Sequence, residues 1–140
     1  MEYRKFKKRI VARLDPGEEV VQSILLIAEK ENVRLASVMA IGASDDVTLG
    51  IFDTKAKKYG SVRYNAHDYE LASVAGNLSR KDGEPYLHLH AVIADPLHDE
   101  CHGGHLSAAV VSATCEIVIH EVAGEVGREF SDEIGLNLFA

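Results

Sequence analysis

The chain of 140 residues contains no tryptophan, three prolines and only two cysteines. No apolar run in it approaches the roughly 20 residues that a helix needs to cross a bilayer, which argues against a transmembrane helix. The N-terminal segment has no continuous apolar stretch of the kind a secretory leader uses, so the expected compartment is the cytoplasm. In that reducing setting Cys101 and Cys115 are not expected to pair. Cys115 lies in an apolar run and reads as a small core residue, whereas Cys101 stands beside His102 in a polar stretch, either as a spare metal ligand or facing solvent. Positive charge is in short supply as well. Lys and Arg number 15 against 22 Asp and Glu, a net charge of −7, whereas nucleic-acid binders usually present a basic face; this counts against DNA binding by the isolated chain. There is no Walker loop, dinucleotide fingerprint or nucleophilic serine motif to select a reaction, and no internal repeat.

What is present suits one globular domain over residues 1–140, since 46% of the residues are apolar, enough for a core at this length. The basic residues Arg4, Lys5, Lys7, Lys8 and Arg9 alternate with Tyr3, Phe6 and Ile10 at the start, a pattern that suits an opening edge strand within Tyr3 to Leu14, where lysines discourage unwanted pairing. Asp15-Pro16-Gly17-Glu18 then has the form of a capping box, with Asp15 as the cap and Pro16 at the first helical position. Val20, Val21, Ile24, Leu25 and Ala28 follow at helical spacing, and Asn32 tolerates a left-handed end. Beyond it the period changes to two. Val33 to Ala43, Val47 to Thr54, Tyr59 to His67, Tyr69 to Leu78, Pro85 to Ala94 and Leu106 to Glu121 all read as strands, with Gly42 to Asp46 as a plain turn between the first two. Most connections are too short for parallel crossovers. The expected fold class is α+β, a mainly antiparallel β-sheet with one long helix packed on it.

Histidine is the residue in surplus, and five of the seven fall between Asp82 and Leu106. His88 and His90 sit two apart in a strand, so both imidazoles leave one face while Leu87, Leu89, Ala91 and Ile93 leave the other. Same-face neighbours lie about 6.6 to 6.8 Å apart at Cα, a gap that two imidazoles can close around an ion with metal–nitrogen bonds of roughly 2.0 to 2.1 Å. Gly103 and Gly104 would let the chain turn sharply and approach that strand, which makes His105 the natural third ligand. The other reading of the same residues is a polar, solvated sheet face with glycines that serve only a turn. A three-histidine site would leave an open position for water or substrate. Hydrolysis there would also need a base, for which Asp99, Glu100 and Glu116 are candidates. His98 and His102 flank the loop as rival ligands, and His67 and His120 have no assignable partner.

Asp15-Pro16-Gly17-Glu18 before a helix, Ile41-Gly42-Ala43, Ser73-Val74-Ala75-Gly76-Asn77, the run from Asp82 through His88-Leu89-His90, Gly103-Gly104-His105-Leu106 and Glu116-Ile117-Val118-Ile119 together resemble the PPC domain, the plants-and-prokaryotes-conserved family. The resemblance covers nearly the whole chain. It implies an antiparallel-sheet α+β fold, association as a homotrimer, and kinship with prokaryotic single-domain proteins described as candidate DNA-binding proteins. It also implies that His88, His90 and His105 match the family's histidine motif, with a divalent metal, zinc first, as the inferred cofactor. Arg128, followed by Asp132 and Gly135-Leu136, resembles the closing segment, where the arginine would make a structural or intersubunit ion pair. Plant members place the domain after a basic AT-hook, which this chain lacks, and their partner-binding stretch falls on His67-Asp68-Tyr69-Glu70-Leu71, where only the glutamate matches. The expected function is thus a metal-binding, DNA-associated regulatory protein; the alternative is a metal-dependent hydrolase or lyase acting on a small molecule.

Overall fold

A computed structural model describes residues Met1–Ala140. Glu2–Phe6 (β1) and Arg9–Leu14 (β2) form an antiparallel hairpin, so the opening segment is two strands where the spacing predicts one. The reversal falls at Lys7 and Lys8, with Lys7 in the left-handed region at φ 55°, a position that favours glycine; neither lysine advertises a turn. β1 does form a sheet edge, as its lysines predict. Along β2 burial alternates exposed and buried without a break, which is the period-two pattern made physical.

The single helix, α1, runs over Val20–Lys30 and starts later than the capping box predicts. Gly17, at φ 86°, takes the chain out of the helical region, and Glu19 is the cap. The Glu19 carboxylate accepts the backbone N–H groups of Val21 at 3.1 Å and Gln22 at 2.7 Å, and that of Ala109 on a neighbouring strand at 2.9 Å. Asp15 and Glu18 instead close their own turn, with the Asp15 N–H donating to Glu18 at 2.8 Å and the N-terminal ammonium lying against both carboxylates. The predicted left-handed end is present at Asn32, φ 50°. α1 buries Val20, Ile24, Ile27 and Ala28 against the sheet, with the larger side chains contributing about 1.5–3 kcal/mol each. Glu19→Ala removes a helix cap and leaves the buried Ala109 N–H without its acceptor. A loss of about 2–3 kcal/mol in urea unfolding is expected, and Glu19→Gln, which keeps an acceptor, should lose less.

The remaining strands are Ala36–Asp53 (β3), Lys58–Tyr64 (β4), Tyr69–Lys81 (β5), Glu84–Asp95 (β6), Glu100–Glu121 (β7), Arg128–Ser131 (β8) and Leu136–Phe139 (β9). All pairings are antiparallel, in a seven-stranded sheet of order β1-β2-β7-β6-β5-β3-β4 and a separate β8-β9 hairpin. Gly42 to Asp46 is not a turn. It lies inside β3, where the ladder shifts register by bulges and the buried Ser44 hydroxyl donates to the Val110 carbonyl at 2.5 Å. β7 also begins earlier than expected and takes in Cys101 to His105. Its first half pairs with β6 and β3, and its second half with β3 and β2, so the pairings β3–β5, β5–β6, β6–β7 and β7–β3 form a closed circuit. Inside lie Val38, Val74, Leu89, Ile93, Leu106 and Ile117. Outside, one row of paired residues crosses the strands from His105 through His90, Ala75, Met39, Val118 and Val11 to Arg4.

Candidate metal centre

β6 separates its side chains as its alternation predicts. Leu89, Ala91 and Ile93 are buried in the core, Leu87 packs at its margin, and His88 and His90 leave the opposite face. His105 on β7 is the direct partner of His90 across the ladder and faces Gly50 of β3 on its other side. Gly103 and Gly104 therefore act differently from the predicted sharp turn: both are paired strand residues. The close approach is nonetheless present, because a Cβ at Gly104 would come within 2.7 Å of the Gly50 carbonyl oxygen.

The three rings form a compact triangle, with centroids 5.2 Å apart for His88–His90, 5.5 Å for His88–His105 and 5.9 Å for His90–His105. One nitrogen from each lies within 4.8 Å of the others. His90 is open to solvent, while His88 and His105 are partly covered. Burial, reinforced by the neighbouring histidines, holds the His88 and His105 pKa values below the ordinary imidazole value; at His88 the Arg128 charge adds to this. Both rings are thereby biased toward the neutral form that a metal requires. Nδ1 of His105 is buried and has no hydrogen-bond partner. A buried polar atom left this way costs about 1–3 kcal/mol, and three imidazole donors form a set suited to zinc and its first-row neighbours. The residues fit a divalent ion.

A cavity of about 220 Å³ adjoins His88 and His105, with Tyr59, Tyr86, Arg128 and Phe139 among its walls. Arg128 donates to Ser79 Oγ at 2.8 Å, Asn77 Oδ1 at 2.8 Å and the Asn137 carbonyl at 3.0 Å, and its guanidinium lies 4.6 Å from the Tyr86 ring centroid and 4.3 Å from that of Phe139. It thus ties the C-terminal hairpin to β5 without an acidic partner in the chain, so of the structural or intersubunit ion pair that the resemblance implies, the one within the chain is not formed. Burial lowers its pKa from the usual arginine value.

The other candidates lie elsewhere. Cys101 is exposed on β7 and outside the triad; Cys115 is fully buried, its thiol pushed up to about 11 by burial. Glu100 accepts from Tyr69 at 3.2 Å and pairs with His102 at 3.1 Å, and His102 stacks on Tyr64. Asp99 sits in the β6–β7 turn, and Glu116 faces Arg13 and Ile41 in the far half of β7. None of these carboxylates joins the triad. His120 is exposed beside Arg9 and Ser37. His67 has a partner that no local spacing signals: its ring stacks on His98 with centroids 3.9 Å apart.

Residues 1–123 match the model of the Plants and Prokaryotes Conserved (PCC) domain. A metal-containing protein from Archaeoglobus fulgidus is 31% identical and superposes with a TM-score of 0.89, over 99% of this chain and 96% of that one. A plant- and prokaryote-conserved protein from Pyrococcus horikoshii is 27% identical with a TM-score of 0.85, over 99% and 93%. A putative DNA-binding protein from Bacteroides thetaiotaomicron, 24% identical, shares the fold with a TM-score of 0.94, over 99% and 96%. A search of curated protein sequences returned no match. No helix of the chain is long and apolar enough to cross a membrane.

Proposed function

Because the chain belongs to the Plants and Prokaryotes Conserved domain family, we propose that it acts as a homotrimeric, cytoplasmic metal-binding protein of that family, with His88, His90 and His105 holding a divalent ion, zinc first. The observation that carries this reading is the triangle of imidazoles, with one nitrogen of each within 4.8 Å of the others, in which His88 and His105 are biased toward neutrality and Nδ1 of His105 is buried without a partner. The metal-containing relative from Archaeoglobus fulgidus supports it. Three nitrogen ligands leave the ion a further position for water or a small ligand, and the Arg128-lined cavity lies alongside. For the hydrolase or lyase alternative, none of the candidate bases Asp99, Glu100 and Glu116 joins the triad or lines the cavities beside it.

Trimer formation is supported by the outer sheet face. Met39, 67% exposed, lies with Ile41, Val118 and Val11 in a continuous apolar patch on the same face as His90, and surfaces of this kind mark contact sites. The test of the metal reading is metal content on untagged protein. His90→Ala should hold one ion fewer per subunit than the wild type; equal content in the two would overturn it.

DNA contact is a second reading, favoured by the β1–β2 hairpin and by the neighbour described as a putative DNA-binding protein. Lys5 is neutralised by Glu31 and Glu121, and Arg13 lies against Glu2 and Asp15, but Arg4, Lys7, Lys8 and Arg9 have no such partners. If those four meet phosphates, duplex affinity should fall on the order of 100-fold between 50 and 200 mM salt. Fluorescence anisotropy with Lys7→Glu/Lys8→Glu reads this, and unchanged affinity in the variant removes the reading.

A further inference from the structure

His67, Asp95 and His98 form a second group of potential ligands, and we infer that they bind a divalent first-row metal ion, zinc or a close neighbour, independently of the triad. His67 lies in the link between β4 and β5, and His98 in the turn between β6 and β7. The antiparallel register that pairs Glu70 with Ala94 brings these two loops to one end of the sheet. One ligand atom from each residue lies within 4.8 Å of the other two. Donors bound to one tetrahedral ion sit about 3.3–3.5 Å apart, given bonds of roughly 2.0–2.2 Å. His67 is engaged by no hydrogen bond and is only partly buried, so its side-chain torsions can close the difference.

Charge points the same way. Asp95 is 5% exposed and has no Lys or Arg partner; its Oδ2 lies 2.5 Å from Nδ1 of His98. Oδ1 accepts the backbone N–H groups of Leu97 at 2.9 Å and His98 at 3.3 Å, which fixes the carboxylate in place. The His67 and His98 rings are nearly parallel, 14° apart, with centroids 3.9 Å apart. A dication held by these three side chains would balance the buried carboxylate. Two imidazoles and a carboxylate suit zinc and related ions. The site is distinct from the triad, because Asp95 is five residues beyond His90 on β6, about 16 Å along the strand. Such an ion would staple the β4–β5 link to the β6–β7 turn.

The test is zinc titration of chelator-stripped protein by calorimetry. His88→Ala/His90→Ala, which disables the triad, should still bind one equivalent per subunit, and adding His67→Ala or His98→Ala should abolish it. No zinc bound by the double variant would overturn the second site and leave the triad untouched. An equivalent that survives both His67→Ala and His98→Ala would also overturn it. One equivalent in the wild type that disappears with His67→Ala and persists in His88→Ala/His90→Ala would uphold this site while removing the triad as a metal centre.

Discussion

Gly76→Ala should be among the most destabilising single substitutions in this chain. A Cβ at this position on β5 would collide with the His88 carbonyl oxygen and approach the His88 carbonyl carbon and Leu89 Cα within 2.9 Å. All three atoms belong to the β6 backbone, so no rotamer change relieves the contact; the two strands must part. Parting them breaks the ladder beside Val74, Leu78 and Leu89, each fully or almost fully buried. Overpacking of side chains costs about 1–3 kcal/mol and occasionally more. A collision with backbone in mid-sheet belongs at the upper end, about 3 kcal/mol or above, against a net stability of roughly 5–15 kcal/mol. Urea unfolding measures it, and a variant within about 1 kcal/mol of wild type would contradict the argument. Gly76 pairs with Leu89, between His88 and His90, so the folded variant should also bind metal less well than the wild type.

Removal of metal should lower the melting temperature substantially. An ion that binds only the folded state stabilises it by about 4 kcal/mol when its free concentration is 1,000 times its dissociation constant. For a chain of this length that corresponds to roughly 10–16 °C. The part of the shift that belongs to the triad is the part His90→Ala removes, because His90 is exposed and its loss should cost little packing. Wild type and variant should therefore differ when loaded with zinc and converge after chelation, at fixed protein concentration. The same melting temperature for wild type with and without chelator would count against any folded-state metal site.

The fold class and the triad could both be read from local pattern. His88 and His90 are legible because a strand's period of two leaves no choice of face once Leu89, Ala91 and Ile93 claim the core. His105 is legible because paired glycines mark close chain approach, although the approach is between strands and not at a turn. Asp82-Gly83 announces its hairpin, and both residues have the positive φ that such a turn requires. Lys7-Lys8 does not, since lysine carries no turn signal. Gly42 to Asp46 misleads in the other direction: small and acidic residues resemble a turn, yet here they serve bulges in one bent strand. The start of α1 depends on Gly17 adopting a left-handed conformation and on a glutamate accepting a bond from a distant strand, neither of which is a local property. His67 and His98 are 31 residues apart in two loops, joined only by the register of β5 with β6.

The position of β7 sets the order in which this molecule can assemble. The β1–β2 hairpin, made from the first residues, has no sheet neighbour except the second half of β7, and the circuit through β3, β5 and β6 stays open until the first half of β7 arrives. A nascent chain that has emerged from the ribosome only as far as Asp99 therefore has a hairpin without a sheet and a helix without much of the surface it covers. Contacts between residues this far apart in the chain close slowly, because loop entropy is lost before burial compensates for it. The apolar faces of β2 and β3 stay exposed throughout that interval, and during synthesis that delay is the period of greatest exposure to aggregation and to chaperones.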